Sequence, residues 1–194
     1  PGSIRRLEFD LLSVDIGESW PVPITVVHGA RPGPTITLLG AVHGNELVGP
    51  LALTYLSGPN FIGSGKPIDP DVLSGTIRIV PIVNMPGYKM KSRYMPDGRD
   101  LNRSFPGKPD SNTSFRVANR FWKEIIAGSD YVIDLHTAAV GRTNMPQIRA
   151  NLAHASSNKI ARSFGIEAIL DNVGPKGSLR RVTNDADIAC VTFE

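Results

Sequence analysis

The sequence predicts an α/β fold with a mixed, mostly parallel sheet and helices on both of its faces. Short apolar runs of strand length recur at 35–42, 76–84, 130–136 and 188–193. Segments with helical spacing lie among them, at 47–56, 114–126, 154–164 and 177–184. The runs are apolar nearly throughout rather than alternating, which is the pattern of strands covered on both sides.

Taken in order, 7–16 and 23–29 read as strands joined by a proline-containing turn near Pro21 and Pro23. Arg31-Pro32-Gly33-Pro34 reads as a further turn before the strand 35–42. That strand runs into His43, a tight Gly44-Asn45 turn, and a helix expected to begin near Glu46. Ser57-Gly58-Pro59 is a helix stop, and 58–75 reads as loop. The strand 76–84 leads into a polar stretch, 85–112, without periodicity, and loops of that length tend to be functional. In 114–126, Phe115, Ala118, Phe121, Trp122 and Ile125 share a helical face. The strand 130–136 again ends in a histidine. Short strands at 146–150 and 168–173, helices at 154–164 and 177–184, and a last strand at 188–193 complete the pattern.

The 194 residues suffice for one domain, 1–194, with a substantial core. Cys190 is the single cysteine, so an internal disulfide and a cysteine-rich zinc module are both excluded. Set in an apolar run, it reads as a buried, inert thiol. No apolar run approaches the roughly 20 residues of a membrane span, and no signal-type segment opens the sequence. A cytoplasmic protein is therefore expected, with no membrane partner. The net charge is +3 and basic residues are spread along the chain. Their densest group, 89–103, also holds Asp97 and Asp100, which suits a small anion rather than nucleic acid. Oligomeric state stays open, a homo-oligomer included.

His43 and Glu46 belong at the carboxyl end of a strand, where open α/β sheets bind ligands. Both are good ligands for a borderline metal such as zinc. Alone, the pair reads equally as a strand cap and an acid favouring a helix dipole. His136, emerging from the run 132–135, supplies a third ligand. Two histidines and one glutamate leave a position open for water, as catalytic zinc sites do. Asp134, on the same side of its strand as His136, can orient an imidazole from behind. His28 and His154 read as structural.

Within Arg99-Asp100-Leu101-Asn102-Arg103-Ser104-Phe105-Pro106-Gly107, Asn102 and Arg103 can bind a carboxylate, the arginine through its planar fork. Asp100 can hold Arg103 or the loop itself. Arg93 and Arg99 are further cations, either of which can polarise a substrate carbonyl. Glu194, at the end of an apolar strand, is a candidate general base.

The ordered motifs His43-x-x-Glu46, Asp100-Leu101-Asn102-Arg103, Asp134-Leu135-His136 and Glu194 resemble the succinylglutamate desuccinylase/aspartoacylase family of the zinc carboxypeptidase-like superfamily. The flanking forms Gly40-Ala41-Val42-His43-Gly44-Asn45-Glu46 and Asn102-Arg103-Ser104-Phe105-Pro106-Gly107 carry the same resemblance. It implies one Zn2+ per chain on His43, Glu46 and His136. It further implies a substrate carboxylate on Asn102 and Arg103, with Arg99 a further cation of that loop, and Glu194 as the base. Arg93, followed by Tyr94, matches the family's polarising arginine better than Arg99. The expected fold is zinc carboxypeptidase-like, and the expected activity is cleavage of a small carboxylate-bearing N-acyl amino acid at its amide bond. A carboxypeptidase and a non-catalytic zinc- and carboxylate-binding module are the alternatives. Relatives also carry a C-terminal β-rich domain after the glutamate, which is absent from these 194 residues.

Overall fold

A computed structural model describes residues 2–13, 19–58 and 68–194 of the chain. Its first strands, β1 (Ser3–Ser13) and β2 (Ser19–His28), pair antiparallel with Leu7 opposite Ile24. β3 (Arg31–Gly40) and β4 (Ser74–Val80) are parallel neighbours, and β4 also pairs antiparallel with β2. On the other side of β3 the parallel run continues through β5 (Tyr131–Leu135) and β8 (Ala189–Phe193). The far edge holds β6 (Ile148–Ala150), antiparallel to β8, and β7 (Ile169–Asp171), parallel to β6. Among the described residues these form one sheet in the order β1-β2-β4-β3-β5-β8-β6-β7. Because β3, β5 and β8 are parallel neighbours, they deliver their carboxyl ends to a single rim.

Alternation along the strands sorts the helices into two layers. Val132 of β5 and Cys190 of β8 join the main core, which α3 (Thr113–Phe121) and α5 (Leu179–Asp185) cover with Val117, Ala118, Phe121 and Leu179. Val191 points the other way, with Ile133 and Phe193, against Ala161, Ile160 and Phe164 at α4 (Ala155–Ser163). α1 (Val48–Ser57) shares that second side, its Gly49 seated against Leu135. A short α2 (Met85–Lys89) follows β4. The predicted fold class is thus the observed one. No helix among the described residues is long and apolar enough to cross a membrane.

Several boundaries differ from the expectations, each for a local reason. Pro21 and Pro23 lie inside β2, opposite Asp10 and Glu8, rather than in a turn. β4 pairs with β2 only from Thr25 onward, so the prolines occupy a stretch that is locally an edge, where a missing N–H is tolerated. The 31–34 turn is instead an irregular start to β3, with the register shifting between Arg31 and Thr35. α1 begins at Val48, after Glu46, and Pro50 falls in its first turn where no donor is required. The expected helix 114–126 is α3 followed by a π-helical turn, Trp122–Ile126. Half of the expected loop 58–75, residues 59–67, and the end of the expected strand 7–16 lie outside the described residues.

Beyond Gly40 the chain turns sharply. Ala41 has φ +47°, a left-handed conformation that strains a residue with a Cβ. Val83 and Asn84 donate their backbone N–H groups to the carbonyls of Gly40 and Ala41, at 3.0 and 2.9 Å. Asn84, fully buried, accepts from Gly87 N–H and so fixes α2 beside the turn. The approach is close: a Cβ on Gly44 would lie 2.1 Å from the Gly87 carbonyl carbon and 2.2 Å from Tyr88 N. Gly44→Ala should therefore cost roughly 1–3 kcal/mol, the usual penalty of overpacking. Denaturant unfolding at wild-type stability would show that the two segments are not held at this distance.

Candidate metal centre and active-site cavity

The turn after β3 carries His43 and Glu46 back over the rim, where the end of β5 delivers His136. All three are nearly fully buried, at 4%, 4% and 5% exposure. Glu46 Oε1 lies 2.8 Å from His43 Nδ1, and Oε2 lies 2.8 Å from His136 Nδ1. The two Nδ1 atoms are 3.1 Å apart. Among the described residues this is the cluster whose ligand atoms converge closely enough to share a metal ion.

Carboxylates behind the rings fix their orientation. His136 Nε2 is 2.8 Å from Asp134 Oδ2, and His43 Nε2 is 3.2 Å from Asp100 Oδ1. An ionised carboxylate only accepts, so each Nε2 carries the proton and each Nδ1 presents a lone pair in the neutral ring. Two lone pairs and a carboxylate then face one another with no donor among them. That set demands a cation and suits zinc, whose tetrahedral bonds of about 2.0–2.2 Å place ligand atoms about 3.3–3.6 Å apart. Without a metal the demand falls on a proton. Burial would push the His136 imidazole down, but Asp134 and Glu46 raise it to about 10. Burial likewise pushes Glu46 up, yet its hydrogen bonds with His136 and His43 bring it to about 2.

Arg93 joins this cluster. Its guanidinium donates to Asp100 Oδ2 at 3.0 Å and to Glu46 Oε1 at 3.4 Å. Against the upward push of burial, His43 and Arg93 hold Asp100 well below the usual carboxylate range. Asp100 also accepts from Asn102 N–H at 2.8 Å, capping the 3-10 turn Leu101–Arg103. It therefore anchors the ring, the arginine and the loop at once, rather than pairing with Arg103.

The cluster opens into a cavity of about 250 Å3. Of the predicted site residues, His43, Glu46, Arg93, Asn102, Arg103, His136 and Glu194 line it. Asn102 accepts from Leu179 N–H at 2.8 Å through Oδ1, which leaves its amide nitrogen as the group able to donate to a ligand. Arg103 is exposed, with its backbone wedged against Gly177. Arg99 is not brought to the cavity. Its side chain is 56% exposed beside Asp97, because the turn at Gly98 (φ +75°) directs it outward. His28 pairs with Thr76, and His154 caps α4, as structural histidines. Cys190 is fully buried, and burial raises its thiol to about 12.

The lining residues not singled out in the sequence include Arg142, Asn144, Arg149 and Arg180. Arg180 is 6% exposed, and its guanidinium donates to the backbone and side-chain oxygens of Asn172. The sequence signal at Arg149 is a lone arginine between the apolar Ile148 and Ala150, both of which prove fully buried.

The support behind His136 can be tested directly. Asp134→Asn should weaken metal binding about 10- to 100-fold, the usual effect of losing such a partner, when measured by competition with a chelator. Unchanged affinity would show that the Asp134–His136 contact does not hold the ligand.

Residues 32–194 match the succinylglutamate desuccinylase/aspartoacylase catalytic domain. An N-alpha-acetyl-L-2,4-diaminobutyric acid deacetylase of Halomonas elongata is 38% identical over 123 residues, which are 63% of this chain and 33% of that protein. A product-bound structure of the ectoine utilization protein EutE (DoeB) from Ruegeria pomeroyi superposes with a TM-score of 0.82 at 27% identity. A succinylglutamate desuccinylase/aspartoacylase from Rhodobacter sphaeroides gives 0.84 at 28%. Both cover 100% of this chain, which spans 59% and 58% of theirs. The murein-tripeptide amidase MpaA from Escherichia coli O157 has the same fold, with a TM-score of 0.61 at 16% identity over 95% of this chain and 81% of its own. The fold is zinc carboxypeptidase-like, and the chain belongs to the succinylglutamate desuccinylase/aspartoacylase family.

Proposed function

We propose that this chain is the catalytic domain of a zinc-dependent hydrolase that cleaves the amide bond of a small, carboxylate-bearing N-acyl amino acid. The observation that carries the reading is the meeting, in one cavity, of three buried acceptor atoms that require a cation with Arg93, Asn102, Arg103 and Glu194. The names of the relatives support it, since they include a deacetylase of an acetylated amino acid and desuccinylases.

His43, Glu46 and His136 would hold the metal, one Zn2+ per chain. Bound zinc supplies a Lewis acid and lowers the pKa of water at the site. Glu194 takes the proton of the attacking water and passes it to the departing amine, so that water and amide become acid and amine. Arg93 donates to the oxygen on which negative charge develops. Its ties to Asp100 and Glu46 hold it in place beforehand. Asn102 and Arg103 bind the substrate carboxylate and convert binding into orientation. Asp100 and Asp134 keep the imidazoles aimed. Arg99, outside the cavity, has no part in this arrangement.

The test is a panel of N-acetyl and N-succinyl amino acids assayed for amine release by the zinc-loaded protein. Blocking the free carboxylate of the best substrate as an amide should abolish turnover. Glu194→Gln should lower kcat by about 100-fold or more, the low end for general-base catalysis, while retaining one metal ion per chain by elemental analysis. His43→Ala should lose stoichiometric metal. Full activity in Glu194→Gln would remove it as the base, and one-to-one metal in His43→Ala would refute the ligand set.

A further inference from the structure

We propose that Arg149, assisted by Asn144, is a positioning residue for Glu194, locking the carboxylate of the base in one orientation at the cavity wall. This rests on the reading of Glu194 as the base.

The sheet itself creates the arrangement. Gln147 and Glu194 exchange both backbone hydrogen bonds at 2.9 Å, prolonging the antiparallel pairing of β6 with β8. Ile148 faces Phe193 and Arg149 faces Thr192 in that register. Arg149 is therefore two residues from Glu194's partner, on the same face, in the diagonal position that long side chains span. From there it grips both carboxylate oxygens, with one guanidinium nitrogen 3.0 Å from Oε1 and the other 3.1 Å from Oε2. The Nη2–Oε2 contact is a hydrogen bond and the Nη1–Oε1 contact an ion pair, so the guanidinium engages both oxygens and restrains the carboxylate's rotation. Asn144 donates its side-chain amide to the same Oε2. Glu194 is left with a side-chain exposure of 13%, and Arg149 with 35%.

The alternative use of Arg149, as a ligand for the substrate carboxylate, is disfavoured by the same contacts. Both terminal nitrogens lie against Glu194, and among the described residues the buried Nε has no hydrogen-bond partner. No free fork remains for a second carboxylate. Nor can the guanidinium relay the proton, since arginine does not deprotonate in proteins. What it contributes is a fixed direction for the base, and a displacement of about 1 Å in such a group can cost about 100-fold in rate.

The test uses the zinc-loaded protein and the N-acetyl amino acids of the panel above. Arg149→Ala should lower kcat about 10- to 100-fold with KM within about twofold of the parent. Arg149→Lys should recover part of the loss, and Asn144→Ala should give a smaller loss of the same kind. In the Glu194→Gln background, Arg149→Ala should add no further loss, because the two act as a unit. Crystal structures should show Glu194 in one orientation in the parent and in several in Arg149→Ala. A raised KM with unchanged kcat would make Arg149 a substrate ligand and overturn the proposal. So would additive losses in the double variant, or a single unchanged Glu194 rotamer in Arg149→Ala. If Glu194→Gln keeps full activity, the base reading falls on its own. If Glu194→Gln is inactive while Arg149→Ala is fully active, only the positioning role falls.

Discussion

Three acceptor atoms aimed at one point cannot stay there without positive charge among them, and much of this rim serves that constraint. His43 Nδ1, His136 Nδ1 and Glu46 converge in a site almost closed to water. A low local dielectric makes an unmatched group of this kind costly and a matched one strong. The raised His136 and the lowered Glu46 express the same imbalance from two sides: a carboxylate among imidazoles keeps its charge, and an imidazole among carboxylates keeps a proton. A metal ion would meet the demand better than a proton, because it could engage all three atoms at once.

The supports follow from that demand. Asp134 is fully buried, and among the described residues its Oδ1 has no hydrogen-bond partner, while its Oδ2 lies against His136. Its place on β5 is dictated by the period of a strand: two residues before a rim ligand is the nearest position on the same face. Asp100 comes from a loop instead, and its position is held by its contacts with Asn102 N–H, His43 and Arg93. Arg93 and His43 thus share one carboxylate. Moving that loop would disturb the His43 imidazole and the Arg93 guanidinium together.

How much of this was legible depended on how local each signal was. Apolar runs announce buried strands whatever surrounds them, so β3 and β5 with the histidines beyond their ends, and β8 with Glu194, could be read directly. The same locality misplaced the turns. Pro21 and Pro23 signal a turn in isolation, and only the late start of the β2–β4 pairing makes them acceptable inside a strand. Glu46 suggested a helix start, but its carboxylate is spent on two imidazoles and the helix begins beyond it. Arg93 and Arg99 were alike as residues. What separates them is the turn at Gly98, whose outward aim is a property of the backbone path and not of composition. Arg149 is harder still, because its meaning lies in an antiparallel register between segments about forty residues apart, Arg149 facing Thr192.

Charge in the cavity reflects the same division of labour. Arg93, Arg103, Arg142, Arg149 and Arg180 line it against the carboxylates of Glu46 and Glu194. These arginines are not equivalent anion sites. Arg93 is tied to Asp100 and Glu46, Arg149 to Glu194, and Arg180 to Asn172. Among the described residues the Arg103 side chain donates only to the neighbouring Asn102 backbone oxygen, and it is exposed at the cavity wall. A guanidinium already locked to a carboxylate shapes the field and holds its partner, but a ligand must displace that partner to use its fork. Arg103, with the free amide nitrogen of Asn102 beside it, has no carboxylate to displace. For the proposed substrate, the loop 101–103 is therefore where a carboxylate would gain contacts without dismantling the supports of His43, Glu46, His136 or Glu194.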